Sequence, residues 1–183
     1  MVDSDDRIPV WNTFFQLAWE SARSVHEVTT GHPSQAIFDP WGGTLPQGRR
    51  EVLAAVVLCS LAIEARANHL IEELAESGIL SYETARAARR LPTKEKWFLI
   101  PARARSNSKI ESASGPHQAI AQVCDLRNDF LHVDYSGILG KLPTADAMLS
   151  YFRRVVEAFE DMNVVLKRTA EPRPEVLRLG RFT

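Results

Sequence analysis

The chain has 183 residues, with 22 lysines and arginines against 23 aspartates and glutamates and a formal charge of -1. That length suits one domain with a core of ordinary size, and 45% apolar with 25% charged residues excludes a disordered or collagen-like chain. Two cysteines, Cys59 and Cys124, are too few for a disulfide framework or a cysteine-based zinc site, which points to a reducing compartment.

The first residues, Met1-Val2-Asp3-Ser4-Asp5-Asp6, are acidic and no apolar stretch follows them, so no signal peptide is expected. Trp11, Phe14, Phe15, Ala18, Ala22 and Val25 recur at steps of three and four, which predicts an amphipathic helix over 9–28. Gly31, Pro33, Pro40, Gly42, Gly43 and Pro46 then mark a loop over 29–47 that carries Phe38 and Trp41. A second helix is predicted over 48–77. Its first half, Val52 to Ile63, is apolar on every side, as in a helix at the centre of a bundle, and Gly78 is placed to stop it. The run from Leu53 to Ile63 spans 11 residues, whereas crossing a membrane takes about 20, so a cytoplasmic protein is expected.

Ser81 reads as the N-cap of a short helix over 82–91, and Thr93 as the cap of a further turn through Trp97, Phe98, Leu99 and Ile100. Residues 101–114 read as polar and irregular. Gly115-Pro116 opens a helix that continues to Val133, with proline at the favoured first position. After a loop with Gly137, Gly140 and Pro143, Thr144 caps a last helix with the stripe Met148, Phe152, Val155, Phe159, Met162 and Leu166. No window alternates with period two. The expectation is an all-α, single-domain helical bundle of about five main helices over 1–170, followed by an extended tail over 171–183.

One helix breaks the pattern. Between 115 and 133, Ala119, Val123, Leu126, Phe130 and Val133 form one apolar row and Ile120, Cys124 and Leu131 a second. Arg127 falls between the rows. A buried guanidinium costs several kcal/mol unless acceptors compensate it, so Arg127 is expected to be paired or to serve a purpose. Asn128 and His132, four apart, share the polar edge of the same arc.

Arg127-Asn128-x-x-x-His132, on the penultimate helix of an all-α chain, resembles the R-x(4–6)-H signature of the HEPN superfamily. The resemblance rests on this six-residue motif and spans residues 48–170 in helix order. It implies a homodimer in which two motifs line one cleft, and metal-independent endoribonuclease activity without a cofactor. His132 would be the general acid or base, Arg127 the phosphate and transition-state stabiliser, and Asn128 the residue that orients the phosphate or a ribose. The family often adds a polar residue from the earlier long helix, a role open here to Glu64 or Asn68. A toxin or defence effector, with an antitoxin or other protein partner, is the setting such an activity suggests.

The chemistry is sound on its own terms. Histidine titrates near neutrality and suits proton transfer. A planar guanidinium takes two phosphate oxygens at once. Other readings of the same residues stay open: a structural Arg127–Glu64 salt bridge, an ordinary surface histidine at 132, a non-catalytic helical module that binds RNA, a nucleotide or a protein, and a purely structural dimerisation domain.

Charge is distributed unevenly. Arg86, Arg89, Arg90, Lys94, Lys96, Arg103, Arg105 and Lys109 are opposed only by Glu95, so eight positive charges less one negative give a local +7. Trp97 and Phe98 interleave with them, the composition of a surface that tracks a phosphate backbone and stacks bases. Arg89, Arg90, Lys94, Lys96, Arg103, Arg105 and Lys109 are therefore the candidate RNA-binding residues. His26, His32, His69 and His117 show no metal-ligand spacing, and Cys59 and Cys124 read as small core residues.

Overall fold

A computed structural model describes residues 9–31, 47–104, 115–132 and 142–166. The loop with Phe38 and Trp41, the stretch with Arg105 and Lys109, the loop with Gly137 and Gly140, and the tail from Glu171 lie outside the described residues. The described residues form six helices and no strand: α1 (Val10–Gly31), α2 (Gln47–Glu76), α3 (Tyr82–Ala88), α4 (Thr93–Ala104), α5 (His117–His132) and α6 (Ala145–Val165). The protein is an all-α, single-domain bundle.

Helix α2 is its axis. It packs along α1 over much of its length and touches each of the other four helices. Val52, Ala55, Val56, Cys59, Ala62, Ile63, Ala67, Leu70 and Ile71 are all buried, while Val57 reaches solvent, so the apolar run is enclosed on most sides rather than all. Arg50–Glu76 is long and apolar enough to cross a membrane by length and composition, and more than half of that apolar stretch is buried against the other helices of the bundle.

Two predicted caps form. The Ser81 hydroxyl accepts from the Thr84 amide at 3.2 Å, and the Thr144 hydroxyl from the Ala147 amide at 3.2 Å, each satisfying an amide that a helix start leaves without a partner. At the end of α2, Gly78 adopts φ 73° and donates to the Ala75 carbonyl at 3.0 Å, while the Leu80 amide reaches back to Leu74 at 2.9 Å. A Cβ at Gly78 would meet nothing within 4 Å. Gly78→Ala is thus expected to cost only the left-handed backbone penalty, about 1 kcal/mol, read as a lower midpoint in urea with an unchanged slope.

One expected element was drawn too short. The turn from Thr93 continues as α4 to Ala104, through Pro101, where the sequence reads as irregular. Proline forfeits one amide bond, but its fixed φ suits a helix, and this one is buried in the last turn. Ile100 and Ala104 pack on the core with it. Tertiary burial overrides local propensity here.

Aromatic side chains tie α1, α4 and α6 together. Trp11 and Phe159 meet edge-on at 5.6 Å, as do Phe15 and Phe152 at 5.3 Å, and Trp97 lies 5.4 Å from Phe159. Two buried polar side chains, Arg66 and His117, meet partners from distant helices. Arg66, 1% exposed, donates from Nη2 to Asn163 Oδ1 at 2.9 Å, and its guanidinium lies 5.1 Å over the Trp11 ring.

His117, the first residue of α5, is buried beside Trp97. The indole Nε1 donates to His117 Nδ1 at 3.0 Å. Because an indole only donates, Nδ1 must be unprotonated and the ring proton sits on Nε2, 3.8 Å from Asp161 Oδ2. Burial pushes the imidazole below its ordinary value of 6.5, and the Asp161 charge opposes that only in part. The unfolded chain therefore binds this proton more readily than the folded one. Stability is full above the unfolded value and is lost as pH falls through about 6.5 toward the lower folded value. In His117→Gln, whose amide oxygen can take the indole N–H, that part of the slope in denaturation free energy between pH 7 and pH 5 is expected to vanish.

Candidate functional site

Helices α2, α4 and α5 leave a cleft of about 200 Å³ between them. Ser60 and Glu64 line it from α2, Pro92, Thr93 and Lys94 from the start of α4, and Cys124, Arg127 and Asn128 from α5. Two members of the Arg127–His132 motif therefore share a cavity with one of the two polar candidates on α2. The helical step brings this about. Cys124, Arg127 and Asn128 fall within five residues on α5, and Ser60 and Glu64 are one turn apart on α2, so each helix offers one short polar face to the seam.

Arg127 is half-buried rather than enclosed, which corrects the expectation from the helical wheel. The wheel placed it within the apolar arc, and α2 and α4, which face that arc, leave a cleft there instead of packed apolar surface. Its Nη1 donates to Asn128 Oδ1 at 3.1 Å, and among the described residues Arg127 makes no ion pair. The structural Arg127–Glu64 bridge does not form.

Glu64 is held by another cation. Lys96, 2% exposed, places Nζ at 2.9 Å from Glu64 Oε1. Burial would raise the Glu64 carboxyl, but the Lys96 hydrogen bond and charge, the Thr93 hydroxyl and the Arg127 charge outweigh it and hold it below the ordinary value. The carboxylate is ionised at neutral pH, with one cation behind it and a second across the cleft. Asn68, one turn further along α2, does not line the cavity; its Oδ1 is enclosed and has no hydrogen-bond partner among the described residues.

His132 is the last residue of α5, four positions beyond Asn128, and its side chain lies outside the described residues. Cys124 is buried in the cleft wall, where burial, Asp125 and Glu64 push its thiol up to about 12. It is a protonated packing group at neutral pH, not a nucleophile.

No family model, curated protein or solved structure matches this chain.

The basic segment is less available than its +7 suggests. Lys96 is buried and committed to Glu64, so it is not a surface cation. Arg89 pairs with Glu72 at 2.8 Å and Lys94 with Asp125 at 2.8 Å, both at exposed positions where such pairs contribute little and exchange readily. Arg86, Arg90 and Arg103 are exposed and carry no ion pair among the described residues. Arg105 and Lys109 lie outside the described residues. Trp97 is fully buried and Phe98 packs on the core, so the aromatics of this segment support the fold rather than offering faces for bases.

Among the described residues no three His, Cys, Asp or Glu side chains stand close enough to hold a metal ion. Sequence reasoning passed over Lys96 as a buried partner, Thr93 as a cleft residue, and Arg66 and His117 as internal polar groups. The signal for Arg66 was present: on α2 it falls between Ala62 and Leu70, on the same arc as Cys59 and Ile63. Lys96 and His117 had no comparable signal, because the charge and ring that meet them come from distant helices.

Proposed function

We propose that this chain is a metal-independent endoribonuclease of the HEPN type, active as a homodimer in which two Arg127-to-His132 segments share one composite cleft. The observation that carries this reading is the meeting of Arg127, Asn128 and Glu64 in a single cavity between α2, α4 and α5.

The reaction uses the RNA 2′-hydroxyl as nucleophile on the adjacent phosphorus. One His132 removes the hydroxyl proton, and its symmetry mate protonates the leaving 5′-oxygen. Arg127 binds the non-bridging oxygens and stabilises the extra negative charge of the phosphorane. Asn128 braces the guanidinium, and Glu64 sets the electrostatics of the opposite wall. A cytoplasmic toxin or defence effector held in check by a partner protein is the setting that fits such an activity. The test is cleavage of single-stranded RNA in EDTA by wild type and by His132→Ala. Equal cleavage by both would rule the site out.

One observation favours a second reading, a non-catalytic RNA-binding module. Arg86, Arg90 and Arg103 remain exposed and unpaired among the described residues whether or not the cleft is active. In that case wild type binds RNA without cutting it, and charge reversal at Arg90 and Arg103 weakens binding and flattens its salt dependence.

A further inference from the structure

A carboxylate beside a substrate-binding arginine is a hazard. Unopposed, Glu64 would capture the Arg127 guanidinium in an ion pair, and an incoming phosphate would have to break that pair before it could bind. Three features of the cleft work against capture. Lys96 is almost fully enclosed, and its Nζ lies 2.9 Å from Glu64 Oε1, so the carboxylate is drawn toward the α4 side of the cavity. Thr93, from the first turn of α4, lines the same cleft, and its hydroxyl favours the ionised form of the same carboxylate. Arg127 is left with a neutral partner, the Asn128 amide oxygen at 3.1 Å, which holds the guanidinium without neutralising it. Burial is what makes the arrangement selective. An enclosed ammonium cannot exchange its carboxylate for water, whereas the half-buried Arg127 can exchange its amide contact for a ligand.

We propose that Lys96 is a positioning residue for the cleft: by holding Glu64 it keeps the Arg127 guanidinium uncommitted and open to a phosphate group. This rests on the reading of the cleft as an anion site, and it changes the role of a residue that sequence alone assigns to the RNA-binding surface. Lys96 touches no substrate and acts through Glu64.

The experiment uses inorganic phosphate as the probe and follows the Arg127 side-chain Nε–H resonance in the full chain. In wild type, phosphate is expected to shift that resonance saturably. Lys96→Met frees Glu64 to pair with Arg127 and is expected to weaken phosphate binding about tenfold, the scale of one partly buried ion pair. Lys96→Met combined with Glu64→Gln removes captor and holder together, and is expected to return the affinity to within about twofold of wild type by the logic of a double-mutant cycle. A purely structural lysine would not show that rescue. If Lys96→Met does not fold, the comparison is made on a Glu64→Gln background, where removing the lysine is expected to change affinity by less than about twofold.

Unchanged affinity in Lys96→Met overturns the proposal. So does a double variant as weak as the single one, a large loss on the Glu64→Gln background, or a wild-type Arg127 resonance indifferent to phosphate. The two readings fail separately. If the phosphate pattern holds but RNA in EDTA is not cut, the endoribonuclease reading falls and the role of Lys96 stands. If RNA is cut and phosphate affinity ignores Lys96, the reverse is true.

Discussion

Alanine at His132 is expected to lower RNA cleavage in EDTA by about 10²–10⁴-fold, the range for removing a positioned general acid or base. At one composite site built from a pair of chains, the loss is expected in both proton transfers, because each transfer uses one copy of the ring. Mixing His132→Ala with wild type should therefore lower activity in proportion to heterodimer formation. Arg127→Ala is expected to lose about 10²–10³-fold, as when one preorganised donor to a developing oxyanion is deleted. Arg127→Lys separates charge from geometry. The ammonium keeps the positive charge but lacks the planar fork, so only part of the activity should return. Single-turnover cleavage, with melting curves to show that each variant is folded, checks all three. Wild-type rates in either alanine variant would remove that residue from the mechanism.

The largest effect on stability is expected at Trp97, far in sequence from the motif. Its ring is fully buried, lies 5.4 Å from Phe159, and donates its N–H to His117 at 3.0 Å. Trp97→Ala leaves a cavity between α4 and α6 and is expected to cost about 3–5 kcal/mol. It also strands a buried acceptor on His117. Trp97→Phe retains most of the ring packing and loses the donor, so about 1–2 kcal/mol is expected. A domain of this size has about 5–15 kcal/mol in total, so the alanine variant would be close to unfolding or well on the way. Urea denaturation gives both numbers. Equal losses for Phe and Ala would mean that the hydrogen bond, not the packing, holds α4 in place. The consequence reaches the cleft as well, because α4 carries Thr93, Lys94 and Lys96.

Much of the fold was legible because helices announce themselves locally. Apolar residues at steps of three and four, a serine or threonine before a helix and a glycine after one depend on neighbours in sequence, and Ser81, Thr144 and Gly78 act as their positions predict. The end of α4 was not legible, because Pro101 is accommodated by burial against distant residues rather than by local preference. The site divides along the same line. Arg127 and Asn128 stand out on their own helix, and both line the cleft with Glu64. Whether Arg127 would be buried or half-open, and whether Glu64 would pair with it, depended on α4.

The local charge of +7 shows most clearly what each level of structure decided. The sequence by itself determined that eight basic residues fall between Arg86 and Lys109, that the chain is helical, and that an arginine sits within an apolar arc. Tertiary structure decided what those charges do. It enclosed Lys96 against Glu64, paired Arg89 with Glu72 and Lys94 with Asp125, and left Arg86, Arg90 and Arg103 exposed. The reason is the range of the forces involved. Helix formation is set within a few residues along the chain, whereas the energy of a charge depends on the solvent and partners within a few ångströms of it, and packing brings those from anywhere in the sequence.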